Sequence, residues 1–208
     1  LDSAMDRYVA EINRYPILTR EQEVDLATRY NRDAHLDAAH QLVVSNLRFV
    51  VKVAHEYRGY GLALLDLVQE GNIGLMKAVK KFDPDKGYRL ISYAVWWIRA
   101  YIQNFVMRSW SLVKLGTTQA QRKLFFKVRS ERERAERERR DGVAASSRQL
   151  AQRLSVEETE IIDMEMRLSS RDFSLDAELQ DGAKQTHVDL LPAHNADQEA
   201  AYAAYEER

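Results

Sequence analysis

The hydrophobic positions recur at helical spacing almost throughout the chain, so the pattern predicts a succession of helices. Met5, Tyr8, Val9 and Ile12 outline a first helix that Pro16 ends. Thr19-Arg20-Glu21-Gln22 then reads as a capping box, opening a short second helix that runs to about Tyr30. From Asp37 to Tyr57, Leu42, Val43, Leu47, Val50, Val51, Val53 and Ala54 surround most of a helix, which predicts one central core helix with Asn46, Arg48 and Lys52 near its rim. Gly59 and Gly61 end it in a turn.

The next helix, Leu62 to Phe82, can bury Leu64, Leu65, Val68, Leu75, Met76 and Val79 while Asp66, Gln69, Glu70 and Asn72 gather on a polar side. Gly71 and Gly74 in its interior each cost about 1 kcal/mol relative to Ala. They imply a close backbone neighbour, either an internal helix or a partner.

Between Gly87 and Arg108, Val95, Ile98, Ile102 and Val106 form an aliphatic stripe beside an aromatic one of Trp97, Tyr101 and Phe105, and both suit a buried face. Opposite them fall Ser92, Trp96, Arg99 and Gln103, with Tyr93 and Ala100 at the border. Two readings of Trp96 stay open: packing beneath a neighbouring loop, or an aromatic surface beside a cation, suited to stacking unpaired bases.

After a charge-alternating helix ending at Asp141-Gly142, Ser147 to Leu154 and Ser155 to Leu168 are two short amphipathic helices, the second opened by a Ser155-Val156-Glu157-Glu158 capping box. They have a helix-turn-helix outline, but Glu157, Glu158, Glu160, Asp163 and Glu165 ill suit a phosphate-lined groove, so packing is the better reading. Ser174 to Ala193 has no sustained period and reads by itself as a flexible acidic linker.

Composition narrows the class. With 8 Gly, 3 Pro and 45% hydrophobic residues in 208 positions, an all-helical globular protein is expected. The absence of Cys excludes disulfides and thiolate metal sites and is compatible with a reducing cytoplasm. No apolar run approaches the roughly 20 residues of a membrane span. Histidines 35, 40, 55, 187 and 194 have no metal-ligand spacing, no nucleotide loop or nucleophile motif is present, and no enzyme or cofactor is expected. Net charge is −1, yet residues 77–129 are basic, with only Asp83 and Asp85 against their Lys and Arg, whereas the chain beyond Arg171 is acidic. The basic middle suits phosphates.

Asn46 to Tyr57, NLRFVVKVAHEY, followed by Leu65 to Ile102, LDLVQEGNIGLMKAVKKFDPDKGYRLISYAVWWIRAYI, resembles the second domain of bacterial RNA polymerase sigma factors. QRKLFFKVR, Gln121 to Arg129, resembles the signature of the heat-shock class. The resemblance extends over nearly the whole chain. It implies sigma domain two with its N-terminal hairpin at 1–112, domain three at 113–171, and a sigma finger or linker at 172–208, in a fragment without the fourth domain.

By that resemblance Asp66, Gln69, Glu70, Asn72 and Met76 dock on the clamp helices of the largest subunit of core RNA polymerase. Tyr88, Tyr93, Trp96 and Trp97 match the aromatics that open promoter DNA at the minus-ten element: Tyr93 stacks on a flipped non-template adenine, and the Trp pair wedges against the last intact base pair. Asn46, Phe49 and Ser92 match the surroundings of a second flipped base. Arg99 and Lys114 match backbone-contacting positions, and Thr118 and Gln121 match contacts to the duplex just upstream. Asp176, Glu178, Asp181 and Asp189 fall in the finger expected to enter the active-site cleft. Leu90 stands where housekeeping members have Phe. Ala100 and Gln103 replace a Gln and a Thr that read the upstream edge of the element, so an altered minus-ten preference is expected. Gly116 replaces a usual Pro. Chaperones and proteases are expected regulators, and no membrane is involved. The alternatives are another stress-response alternative sigma factor, a free-standing helical DNA-binding regulator, and a protein-binding adaptor anchored by Tyr93 and Trp96.

Overall fold

The computed structural model describes residues 4–112, 118–138, 146–169, 172–179, 185–191 and 202, without the side chains of 133 and 136–138. The chain forms two compact units, Leu1–Ser170 and Arg171–Arg208. The expected division at 112/113 falls inside the first unit, at a stretch outside the described residues.

Helices make up the first unit, as the all-helical expectation requires: α1 (Ala4–Ile12), α2 (Arg20–Asp33), α3 (Leu36–Val44), α4 (Leu47–His55), α5 (Leu64–Lys81), α6 (Leu90–Ser109), α7 (Gln119–Glu138), α8 (Ser147–Leu154) and α9 (Glu158–Ser169). At α2 the capping box forms on both sides, with the Gln22 backbone N–H donating to the Thr19 hydroxyl and the Thr19 backbone N–H to Gln22 Oε1.

One expected element divides. The core helix predicted over Asp37 to Tyr57 is two helices, α3 and α4, joined at Ser45 and Asn46. Asn46 has φ −110° and ψ 0°, and its side-chain Nδ2 donates to the Leu42 carbonyl at 2.7 Å. A short amide that bonds the preceding turn competes with the helical ladder. Asn46 is consequently buried, 7% exposed, and not at a rim.

Packing of α5 on α6 forms the centre of the core, where Leu67, Val68, Leu75, Ala78, Leu90, Ile98, Ile102 and Val106 are all buried. The two glycines answer the question left by the sequence. A Cβ at Gly74 would stand 2.8 Å from the Trp97 carbonyl oxygen and 2.9 Å from Ile98 Cα, and one at Gly71 would stand 2.5 Å from Val50 Cγ1. The close neighbours are internal helices, so the glycines set how near α6 lies to α5.

The start of α6 is held by a residue far away in sequence. Arg89 offers no side-chain cap, but Glu23 of α2, 2% exposed, accepts from the Leu90 N–H at 2.6 Å and forms an ion pair with Arg89 at 3.0 Å. An unsatisfied helix-start N–H and a buried carboxylate thus satisfy one another.

A ring cluster fastens α7 to the same body. Tyr60 stacks on Phe125 at 5.6 Å, Trp110 meets Phe125 edge-on at 5.6 Å, and Tyr57 meets Phe126 edge-on at 6.3 Å. Arg129 donates to the Gly59 carbonyl at 2.6 Å. Farther along α7, Arg132 pairs with Glu165 of α9 and Glu131 with Arg153 of α8. Ile161 and Met164 of α9 are buried with Leu150 and Leu154 of α8, so the two helices share an apolar interior.

The capping box expected at Ser155 does not form. Ser155 has φ 56° and ends α8 by donating its N–H to the Ala151 carbonyl, so α9 begins only at Glu158. Asp141-Gly142 lies outside the described residues.

In the second unit, the described residues fold back on themselves where a flexible linker is the expectation from sequence. Glu178 and Thr186 form an antiparallel bridge, the Leu179 N–H donates to the Gln185 carbonyl at 3.1 Å, and the Val188 N–H donates to the Leu175 carbonyl at 2.9 Å. Phe173 meets the His187 ring edge-on at 4.6 Å. Short-range pairing of this kind needs no long hydrophobic period, which explains why periodicity does not reveal it.

Candidate nucleic-acid interface

Trp96 is 71% exposed, and among the described residues no ring pairs with it. The packing reading is therefore excluded. Tyr88, Tyr93 and Trp97 form a row, with ring centroids 6.0 Å apart between the tyrosines and 6.4 Å between Tyr93 and Trp97. Phe82, buried at the end of α5, supports the row from below at 6.0 Å from Tyr88 and 6.3 Å from Tyr93. Expected on the buried face, Trp97 is in fact half-buried, with the Lys81 ammonium 4.7 Å from its ring centroid.

Farther along α6 the polar residues are held by partners in the turn that follows α4. Arg99 pairs with Glu56 at 3.1 Å, and Gln103 Nε2 donates to the Tyr57 hydroxyl at 2.9 Å. Burial raises the Tyr57 pKa above its ordinary value, against the opposing effect of the Gln103 bond, so the phenol stays protonated at neutral pH. Tyr57 and Glu56 are thus part of the site, although no spacing in the sequence singles them out. Their role depends on an approach between α4 and α6 that only folding creates.

Asn46 and Phe49 line a small cavity of about 160 Å³ whose other walls include Ile17, Leu18, Glu23 and Arg89. Ser92 is exposed on the first turn of α6 and is absent from that lining. Thr118 and Gln121 bond reciprocally, the Gln121 N–H to the Thr118 hydroxyl at 3.2 Å, and so cap α7. Lys114 and Asp181 lie outside the described residues. Of the other finger acids, Asp176 and Glu178 are exposed, while Asp189 accepts from the Thr186 N–H at 2.9 Å.

A second surface lies on α5. Asp66, Gln69 and Met76 are exposed at helical spacing, Glu70 and Asn72 are half-buried, and Ile73 completes the stripe at 43% exposure. Ile73 is absent from the residues expected to dock; its position four after Gln69 and three before Met76 is the signal that identifies it. Asn72 Nδ2 donates to the Tyr8 hydroxyl at 3.0 Å and to Gln69 Oε1 at 3.2 Å, while its own Oδ1 is buried without a partner among the described residues. A buried acceptor left unmet costs about 1–3 kcal/mol.

A helical body with an exposed aromatic and basic face and a separate polar and apolar face has the character of a protein that joins a nucleic acid to another protein. The sigma-70 region 2 family matches residues 42–111, and the sigma-70 factor region 1.2 family matches residues 4–32. The chain is 54% identical over 193 residues to the RNA polymerase sigma-C factor of Myxococcus xanthus, covering 92% of this chain and 65% of that protein. It is 55% identical over 166 residues to the RNA polymerase sigma-B factor of the same organism, covering 80% and 68%. Against the RNA polymerase sigma factor RpoH of Caulobacter vibrioides, identity is 45% over 209 residues, covering 100% and 71%. The chain belongs to the bacterial RNA polymerase sigma factors, in the heat-shock class. It spans about two thirds of the length of these relatives.

Proposed function

We propose that this chain docks on core RNA polymerase through the exposed α5 stripe, recognises the minus-ten element with α6, and captures flipped non-template bases to open the promoter. The observation that carries the reading is Trp96, large, apolar and 71% exposed, beside the Tyr88–Tyr93–Trp97 row and the Arg99 and Gln103 side chains. Displaying such a ring to water gains nothing for folding, whereas an unpaired base stacked on an aromatic recovers about 1–3 kcal/mol of the few lost on flipping. Arg99 supplies charge for the backbone, and the amide of Gln103 can pair with an adenine edge. The 160 Å³ cavity beside Asn46 and Phe49 has the volume for a second base.

Core docking rests on the α5 stripe, where Ile73 and Met76 supply exposed apolar area and Asn72 Oδ1 an unmet acceptor. In this reading catalysis belongs to the polymerase, the finger acids Asp176, Glu178, Asp181 and Asp189 compete for a basic nucleic-acid channel, chaperones and proteases set the protein's level, and the work is done in the cytoplasm. Permanganate footprinting of promoter thymines with core polymerase and the full-length protein tests it. Reactive thymines across the minus-ten region are expected with both components and with neither alone. Protection of a closed duplex by the protein alone would favour a free-standing regulator, and no DNA response would favour an adaptor.

A further inference from the structure

A cavity of about 300 Å³ lies where the turn that follows α4 and the end of α6 meet α7 and α9. That volume is at the small end of ligand pockets. One part of its wall is aromatic. Tyr60 stacks on Phe125 at 5.6 Å, and Trp110 meets Tyr60 edge-on at 6.2 Å and Phe125 at 5.6 Å. Phe125 is fully buried, whereas Tyr60 and Trp110 are half-buried, so folding leaves part of the ring surface uncovered beside the cavity.

The polar part of the wall is rich in donors. Arg132 gives a terminal N–H to Glu165, but its Nε is buried and has no partner among the described residues. Arg129 adds a second guanidinium, anchored by its bond to the Gly59 carbonyl. Glu165 is the one carboxylate of the described lining, and both its oxygens are engaged, one by Arg132 and the other by the Ser147 hydroxyl. On the lining, cations thus exceed carboxylates two to one, and one buried N–H is left over.

An unmet guanidinium N–H away from water is costly, and the fold gains nothing from it. A water would meet the N–H but leave the rings uncovered and the charge of the lining unchanged. A purely apolar molecule would cover the rings and leave the N–H unmet. A flat ring that bears a carboxylate satisfies both, packing on the aromatic wall and accepting a charge-assisted bond.

We propose that this cavity binds a small planar aromatic carboxylate, with the ring against Tyr60 and Trp110 and the carboxylate accepting from Arg132 Nε. Its walls come from the α4–α6 body on one side and from α7 and α9 on the other, so an occupant also fastens these parts together. None of the residues named here belongs to the α5 stripe or to the expected DNA contacts. The site therefore stands apart from polymerase docking and promoter opening.

The test titrates indole-3-acetate into the full-length protein by isothermal calorimetry, beside the uncharged indole-3-acetamide and the non-aromatic anion cyclohexylacetate. A Kd at or below about 1 mM is expected for indole-3-acetate, the affinity that ordinary ligand efficiency gives a molecule of about 13 non-hydrogen atoms. The amide and cyclohexylacetate bind at least about fivefold more weakly, because each lacks one half of the contact. At ten times Kd the ligand raises the melting temperature by about 3 °C. Arg132→Met weakens indole-3-acetate about tenfold, as loss of a charge-assisted hydrogen bond does, and removes its advantage over the amide. That change also takes a partner from Glu165, so a second variant leaves the pair in place: Ser169→Trp, at an exposed lining position near the end of α9, blocks entry at an unchanged melting temperature.

No binding heat and no rise in melting temperature at about 10 mM, ten times the expected Kd, would overturn the proposal; a cavity that holds only water gives that result. Equal affinity for the amide or for cyclohexylacetate would overturn it as well. So would undiminished binding by either variant, which would put the ligand elsewhere on the protein.

Discussion

The outward faces of α5 and α6 belong to two helices that share one tight core, yet they are maintained in different ways. On α5 the stripe of Asp66, Gln69, Ile73 and Met76 is open, and among the described residues only Gln69 is engaged, by its neighbour Asn72. On α6 most of the functional candidates are held within the chain: Gln103 by Tyr57, Arg99 by Glu56, and Trp97 by Tyr93 and Lys81. A protein-docking stripe can remain adaptable, because the partner's surface supplies its order. A face that discriminates one base from another needs donors fixed in direction before the base arrives, since a misaligned amide reads nothing. Trp96 is an exception on α6, as is the exposed Ser92, and a ring offered for stacking needs exposure more than orientation.

The shared core gives the strongest way to break this contrast. Gly74→Val places side-chain atoms against the backbone of Trp97 and Ile98. We expect a loss of about 3 kcal/mol, the upper end for overpacking. That corresponds to a fall of about 6–12 °C in calorimetric melting temperature at this chain size, with core binding and promoter opening lost together. A variant that loses one activity and keeps the other would show that the faces are not mechanically joined at this crossing.

A more selective pair of changes separates the faces. Trp96→Ala should reduce promoter opening about tenfold, as removal of roughly 1.4 kcal/mol of stacking implies, while core binding and melting temperature remain unchanged. Asp66→Ala or Gln69→Ala should do the reverse, weakening polymerase capture several-fold as judged by pull-down, with normal permanganate reactivity once assembled. Parallel losses in both assays would contradict the division of labour between α5 and α6.

The smallest expected effect tests orientation. Tyr57→Phe keeps the ring against Phe126 but removes the hydroxyl that holds Gln103. If Gln103 reads a base pair as proposed, loss of one such bond, about 1 kcal/mol, should reduce discrimination at that pair roughly fivefold. It should have no further effect in a Gln103→Ala background. Selection of promoter variants bound by the holoenzyme measures both.

Much of the fold could be read from local pattern. The Thr19 box, the ends of the α5 and α6 patterns, and the polar side at Asp66 and Gln69 each depend on neighbours within one or two turns, and the structure has them where periodicity indicates; Met76, which the same pattern allows to be buried, is instead 45% exposed. The errors have a common form. Asn46 breaks a pattern that is apolar throughout, and Ser155 ends one helix where its neighbours resemble the start of another, because each backbone has alternative hydrogen bonds of similar strength. Trp97 falls on the buried side of a helical wheel, but a wheel has no knowledge of how deeply a neighbouring helix reaches.

By itself, the sequence determines an all-helical chain, its family through long continuous motifs, and an amphipathic α6 carrying Trp96 beside Arg99 and Gln103, because these properties follow from side-chain spacing and identity along one stretch. Tertiary structure decided that Trp96 meets solvent and Trp97 sits at the boundary, that Gly71 and Gly74 serve an internal crossing, that Glu23 holds the start of α6, and that Tyr57 holds Gln103. Each of these needs groups distant in the chain to meet within a few ångströms, and that proximity is set by the packing of whole helices, which no local period encodes.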